Sequence, residues 1–453
     1  MSLSSPTHLY NRLTNRRGFL TWAGRSAAFA GFLAATRSLP VVAQDAPLLR
    51  IWMGEDYVPA WNAYLPVMFE KVAAEMGIRV EVELTPDNDT GRARRNTALE
   101  TDTLPDIFQS GTADAAKFND LGKVHPIVAE LYARMEQADG GWNDNIKAFV
   151  TAKDGSVYGI PFYTRPWMMH YRTDLLEAAG YDALPQSIEE FKEIARAIND
   201  PGQGIFGTGM PYNQADMDGH MVSFPWLYGG SWQDEAGNLT IETAENLEAF
   251  KSYLQFFQEG LTPQDSLNWG GVGNNNAYLT GLSAMVCNTG SLFAALQRDR
   301  PDLAEVTQLG PWPKGSDKGA AATTTIGSCL EIAHNSPNAE LAADFIEQVL
   351  KPENMAPLLE AGSGQAMPVR PSLADIDYFK TNQVVGQIVS TIVPTSRPLT
   401  WPGPNNAPYG DLTANSSPFF KDMLHRVLVD NMSPEDSLAR FATDGQELVK
   451  KYS

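Results

Sequence analysis

Between Leu48 and Gly111 the chain changes its apolar period four times, and this alternation limits the available folds more than any other feature. "LLRIWMG", from Leu48, is a short apolar run of strand length. "VPAWNAYLPVMFEKVAAEMG" repeats apolar residues at intervals of three and four and stops at Gly77, the helical period with a C-terminal glycine. "IRVEVEL" alternates as a strand does, "TGRARRNTALET" is helical, and "DIFQSG" is a third short strand. Strand, helix, strand, helix, strand implies a mostly parallel sheet with helices on both faces, and so an α/β fold.

Further on, "VYGIPFYTRPWMMHYR" reads as two strands joined by an irregular, aromatic-rich passage. Four helices follow: "TDLLEAAG", "SIEEFKEIARAIND", "AENLEAFKSYLQFFQEG" and "NAELAADFIEQVLK". Thr173 and Ser187 are the N-caps expected for the first two. Glu190, three residues after Ser187, completes a capping box. A Pro/Gly/Asn-rich loop runs from Pro394 to Pro418, and its Trp401 and Tyr409 argue for order and function. Helical runs from Phe419 and from Pro434 finish the chain. Length suggests two or three compact lobes, and a 43% apolar share supplies their cores.

The first 43 residues stand apart. They hold five arginines and no acid, and the first acid of the chain is Asp45. Arg12, Arg16 and Arg17 form a basic head, "AAFAGFLAA" an apolar middle, and "VVA" (Val41 to Ala43) a cleavage site: the plan of an export signal. The apolar run is far short of the ~20 residues a membrane-spanning helix needs. Arg16-Arg17 followed by "GFL" resembles the twin-arginine signal, with Asn15 and Thr21 departing from its first and last places. A general secretory signal is the alternative.

Without those 43 residues, 29 basic side chains face 54 acidic ones, a net charge near −25. Such a surface repels nucleic acid and anionic lipid. Two cysteines, Cys287 and Cys329, are too few for a disulfide framework, and each lies in an apolar, strand-like run, so buried free thiols are expected. No Cys or His pair has metal-ligand spacing, and no cofactor motif is present.

Lys153 to Ile198, "KDGSVYGIPFYTRPWMMHYRTDLLEAAGYDALPQSIEEFKEIARAI", resembles the core of the extracellular solute-binding proteins of family 1. These are the sugar-binding components of ABC importers, including the maltose- and glycerol-phosphate-binding proteins. "YLTGLSAMVCNTGSLFAAL", "IGSCLEIAHNSPNAELAADFIEQVL", "GSGQAMPVRPSL" and "SPEDSLARFATDGQEL" continue the likeness in order across the mature chain. Tyr171-Arg172-Thr173-Asp174-Leu175 matches the family's Tyr-Asn-Lys-Asp-Leu at three of its five positions. The resemblance implies a two-lobed periplasmic binding protein fold (type II), its discontinuous lobes joined by hinge strands around a ligand cleft. The export signal would be residues 1–43, the N-terminal lobe 45–165 with 320–370, and the C-terminal lobe 166–319 with 371–453. Crossings would fall near Thr164 to Trp167, Ala320 to Ile326 and Met367 to Asp377. Cys287 and Cys329 would then lie in different lobes, and a disulfide between them, the alternative to free thiols, would latch the lobes.

The implied partners are a sugar or polyol, an inner-membrane ABC permease, and the twin-arginine translocase during export. The protein would act as a periplasmic monomer, and a chemoreceptor is an alternative client. A sugar needs planar donors and acceptors for its hydroxyls and aromatic platforms for its faces. Trp167, Trp226, Trp232, Trp269, Trp312 and Trp401 are candidate platforms, with core packing the competing role for each. Matching the family by segment selects Glu55, Asp56 and Tyr57 after the first strand and Ser110, Gly111 and Thr112 after the third. It further selects Tyr163, Arg165 and Trp167 at the hinge and Tyr212, Asn213 and Asp216 in a contact loop; Trp269 joins them as a loop tryptophan. Asn288, Thr289, Gly290 and Ser291 open a helix whose N–H groups can donate to ligand oxygens. Gly327 and Ser328 face them, and Trp401 and Tyr409 complete the set. Arg165 can clasp sugar hydroxyls, bind an anion bidentately, or pair with Asp174 or another acid. The ligand is therefore a neutral saccharide or polyol, or an anionic sugar derivative such as a sugar acid or glycerophosphodiester.

A secreted glycoside-active enzyme is the reading from another class. It would need two carboxyls about 5 to 9 Å apart, for which Glu55, Asp56, Asp216 and Asp218 are the available acids. No metalloprotease, nucleophile-elbow or phosphate-loop motif is present, and "GVGNNN" lacks the helix chemistry of a phosphate cradle. The export reading is tested directly: Arg16→Lys with Arg17→Lys should leave folded precursor in the cytoplasm. Undiminished export of that double variant, measured by cell fractionation, would assign the general secretory route instead.

Overall fold

A computed structural model describes residues 42–86, 89–138, 140–152, 154–213, 216–413 and 418–452, so nearly all of the export segment lies outside the described residues. The first sheet begins with β1 (Leu48–Gly54), β2 (Arg79–Thr85) and β3 (Ile107–Gly111), with β2 and β3 parallel to β1 on either side. Between β1 and β2 runs α1 (Pro59–Glu75), which buries Trp61, Leu65, Met68, Phe69 and Val72 alongside Leu49, Ile51 and Met53 of β1. Spacings of three and four residues put those side chains on one stripe, and Gly77 at φ 70° ends the run. α2 (Thr112–Asp120) follows β3 directly.

The chain leaves this sheet along β4 (Ile160–Pro166) and enters a second one as β5 (Met168–Arg172), with Trp167 alone between them. The second sheet has the order β6 (Phe206–Thr208), β7 (Ser283–Asn288), β5, β8 (Thr307–Gly310). The helices that matter here are α3 (Ile188–Ile198), α4 (Asp216–Ser223) and α5 (Gly290–Asp299). β9 (Thr323–Ile332) returns to the first sheet, antiparallel to β3 and β4. Met367 comes back to exchange both backbone hydrogen bonds with Thr164, at 2.8 and 3.1 Å. β10 (Ser396–Pro398) lies parallel to the first three residues of β9. The Pro/Gly/Asn-rich loop thus contains a strand, and also a helix, α6 (Ala407–Thr413).

The expected strands and helices form, with two local departures. Thr173 is not an N-cap: the cap position is Arg172, and the Thr173 hydroxyl donates to the Val306 carbonyl at 3.0 Å across the sheet edge. Ser187 does cap α3, accepting from the Glu190 N–H at 3.1 Å, but the Glu190 carboxylate reaches Gln186 N–H rather than closing the box on Ser187. Cys287 in β7 and Cys329 in β9 are buried free thiols.

Glu331 of β9 is fully buried, and the Ser110 hydroxyl donates to its Oε2 at 2.8 Å. Burial pushes its carboxyl well above the usual range. Ser110 and Arg95 pull it down against this, and Asp114 adds to the rise. The folded state therefore holds a proton that the unfolded chain releases above about pH 4. Stability from this group is full below that pH and is lost as pH rises through the raised value. Glu331→Gln should flatten the decline by up to about 1.4 kcal/mol per pH unit, read by denaturant melts across pH 4 to 7.

Candidate ligand-binding site

β1 and β3 end at the same edge of the first sheet, and the chain there is tied by carboxamides. Asp56 N–H donates to Asn62 Oδ1 at 2.8 Å, and Asn62 Nδ2 returns a bond to the Asp56 carbonyl at 2.8 Å. The Asp56 carboxylate is almost fully buried: Oδ1 takes Val58 N–H at 3.1 Å and Oδ2 takes Arg165 Nη1 at 3.2 Å. The Arg165 guanidinium also lies 5.5 Å from the centre of the Tyr163 ring. Arg172, not Arg165, holds Asp174. Glu55 is half-buried and Tyr57 is 58% exposed at the rim. Gln109 joins three strands here: its Oε1 accepts from Gly54 N–H at 3.0 Å, and its Nε2 donates to Tyr163 Oη at 3.0 Å and Ser328 Oγ at 2.7 Å. Gly327 pairs with Thr164 beside it. Gly111 is the N-cap of α2, which Thr112 opens.

At the corresponding edge of the second sheet, Asn288 closes β7. Its Nδ2 donates to Asp216 Oδ2 at 2.8 Å and also bonds Asn275 Oδ1. Its Oδ1 accepts Thr289 N–H at 2.7 Å. Burial pushes the Asp216 carboxyl up to about 7 against the pull of the Asn274 and Asn288 amides. Thr289 caps α5, its hydroxyl 2.9 Å from Ser291 Oγ. Gly290 abuts the Gly364 carbonyl, where a Cβ would collide. Trp269 is half-buried against Gly273. Trp167 lies between the sheets: its N–H donates to the Thr324 carbonyl at 2.9 Å and its own carbonyl accepts the Thr323 hydroxyl at 2.5 Å.

Several expected contacts fall elsewhere. Ser110 points to the opposite face of β3 from Gln109, toward Glu331, because successive strand residues alternate faces. Tyr212 is fully buried and donates to the Tyr253 carbonyl at 2.9 Å, a core position. Asn213 is half-buried, next to residues outside the described ones. Trp226, Trp232 and Trp312 are core: Trp232 Nε1 bonds the Met221 carbonyl at 2.7 Å, and Trp312 sits in a cluster with Phe191, His220 and Phe224. Trp401 packs edge-on against Trp226 at 5.5 Å, and Tyr409 is fully buried, so neither offers an open platform. Their loop joins both halves instead. Gln233 Nε2 bonds the Thr400 and Pro404 carbonyls, while Asn405 Nδ2 donates to Ala148 O at 2.9 Å and Phe149 O at 3.2 Å. α6 packs on α2, with Lys117 3.5 Å from Asp411.

Sequence reading missed Asn62, Gln109, Asn274 and Asn275. The available signals were a polar residue inside the apolar strand "DIFQSG" and the amide run of "GVGNNN". Both sheet edges are thus rich in amides, hydroxyls and carboxylates. Among the described residues no group of three or more His, Cys, Asp or Glu could hold a metal ion.

A binding protein of Brucella abortus is 23% identical over 437 residues, spanning 93% of this chain and 98% of its own length. The solute-binding protein of an ABC transporter from Thermotoga lettingae, solved with α-D-tagatose, matches at TM-score 0.74 and 22% identity, over 89% of this chain and all of its own. Maltose-bound MalE3 of T. maritima matches at TM-score 0.74 and 20% identity, with the same coverage. Both share the two-lobed α/β fold of this chain. The family profile described as bacterial extracellular solute-binding protein matches residues 67–385, most of the chain, and the protein belongs to that family.

Proposed function

We propose that the protein is an exported, non-catalytic binding protein. It captures a neutral carbohydrate or polyol and delivers it to the permease of an ABC importer. The observation that carries the neutral reading is the ion pair between Arg165 and Asp56. The guanidinium that could have clasped an anion already faces a carboxylate 3.2 Å away whose side chain is only 3% exposed. The ligand therefore meets a charge-balanced pair. The names of the related proteins support a sugar: tagatose is bound by one and maltose by another.

The lobes follow the expected bounds, 45–165 with 320–370 and 166–319 with 371–453, except that Leu373, Phe379, Val385, Ile388, Ile392 and Val393 pack in the first core and β10 pairs in the first sheet, so we assign 371–398 to the first lobe. They close over the ligand, and the monomer works in the periplasm after a twin-arginine signal is removed near Ala43. Closure by rotation about a few crossing residues needs little local change. It is driven only by the ligand's preference for the closed form.

The test is calorimetry with D-tagatose, maltose, D-mannitol and D-gluconate at low and high salt. A neutral member should bind with an affinity that salt leaves unchanged. Arg165→Ala should weaken it by about 0.5–3 kcal/mol, the worth of a hydrogen bond from a charged donor. Binding of gluconate alone, weakening as salt rises, would overturn the neutral reading, and chemical conversion of a bound sugar would overturn the non-catalytic one.

A further inference from the structure

α4 is enclosed by other elements, and Asp218 within it is 2% exposed with neither carboxylate oxygen hydrogen-bonded. Burial, with the neighbouring Asp216 carboxylate, pushes its carboxyl well up. Other buried or half-buried acids of this chain contrast with it. Asp216 takes Asn288, Glu331 takes Ser110, and Asp106 takes Ser336 and Asn338. A buried polar group with no partner requires an explanation, because its desolvation is uncompensated.

Unpaired donors stand close by. Gly219, the next residue, packs flat on the Trp167 indole, so that a Cβ there would stand 2.8 Å from Cε2 and from Cζ2. Nε1, bonded to that Cε2, is buried without a partner. Thr324 and Thr325 of β9 are fully buried with neither hydroxyl hydrogen-bonded, and as consecutive strand residues they point to opposite faces, so only one of them can face this side. Thr324 is the residue whose carbonyl receives Trp167 N–H. α4 itself packs against β9. An unpaired acid thus neighbours a glycine that packs on an indole whose N–H is also unpaired, beside the crossing between the two sheets. A hydroxyl group donates and accepts, and so meets both.

We propose that Asp218 is a ligand-recognition residue, its carboxyl exchanging hydrogen bonds with hydroxyls of a bound polyhydroxylated molecule while the Trp167 indole donates to one of that molecule's oxygens. This rests on the carbohydrate reading above and adds to it a specificity-determining acid on the second lobe. It also makes Asp218 unfavourable in the empty protein and favourable in the loaded one, a conflict between stability and function of the kind binding sites display.

Two variants separate this from a structural role. Asp218→Leu removes the unpaired acid, and Asp218→Asn keeps its shape. The full-length mature protein is melted without sugar and titrated with D-tagatose, maltose and D-mannitol. Asp218→Leu should melt at or above the wild-type temperature when empty, since an unsatisfied group has been replaced by an apolar one. Both variants should bind whichever sugar the wild type binds about tenfold to a hundredfold more weakly. Should Asp218→Leu not fold, Asp218→Asn decides through affinity alone. Wild-type affinity in Asp218→Asn, or a lowered empty melting temperature with wild-type affinity in Asp218→Leu, overturns the assignment and marks an acid held by internal water. Failure of the wild type to bind any of the three sugars overturns the carbohydrate reading and this inference with it.

Discussion

The hydrogen bonding of β9 is the constraint on which the site depends. Its residues pair with β3 on one side and β4 on the other, and its first three also pair with β10. Trp167 hangs from two of these, Thr323 and Thr324, by two further bonds. A strand that must serve so many partners cannot shift register without turning its side chains to the wrong faces. Gly327 and Ser328 are therefore fixed opposite Thr164 and Tyr163, and through Gln109 the end of β1 is fixed as well. The position of Asp56 relative to Arg165, two residues 109 apart in sequence, follows from that framework.

Charge is distributed in the same economical way. The cationic group of the first edge is matched by a buried carboxylate, and the second edge carries acids held by amides or by nothing. A net negative surface keeps anions at a distance while the interior offers hydrogen bonds whose strength salt does not change. Selectivity in such a site comes from leaving a buried polar group unsatisfied whenever the wrong molecule enters.

Periodicity made the fold legible. Alternation in "IRVEVEL", the three-and-four spacing of α1 and the apolar "SAMVCN" of β7 each declare their element from neighbouring residues alone. The site was legible only in part, because its defining contacts join residues far apart. Gln109 meets Ser328 across 219 positions and Asn405 meets Phe149 across 256. Ser110 and Gln109 are neighbours in β3, but in a strand one residue is the other face, and Ser110 bonds Glu331 while Gln109 bonds Ser328. Tyr212 and Tyr409 carry the residue type of a platform, and only burial assigns them to the core. Asp218 drew notice merely as an acid, since a lack of partners cannot be read from a sequence.

The long loop after β10 has a mechanical consequence. Pro404 is held to Gln233 in one half and Asn405 to Ala148 and Phe149 in the other, so two consecutive residues are anchored on opposite bodies. Adjacent Cα atoms stand about 3.8 Å apart, and no slack can be drawn between them. While those bonds stand, the two bodies cannot be drawn apart at this point of the chain, which acts as a short tether between them.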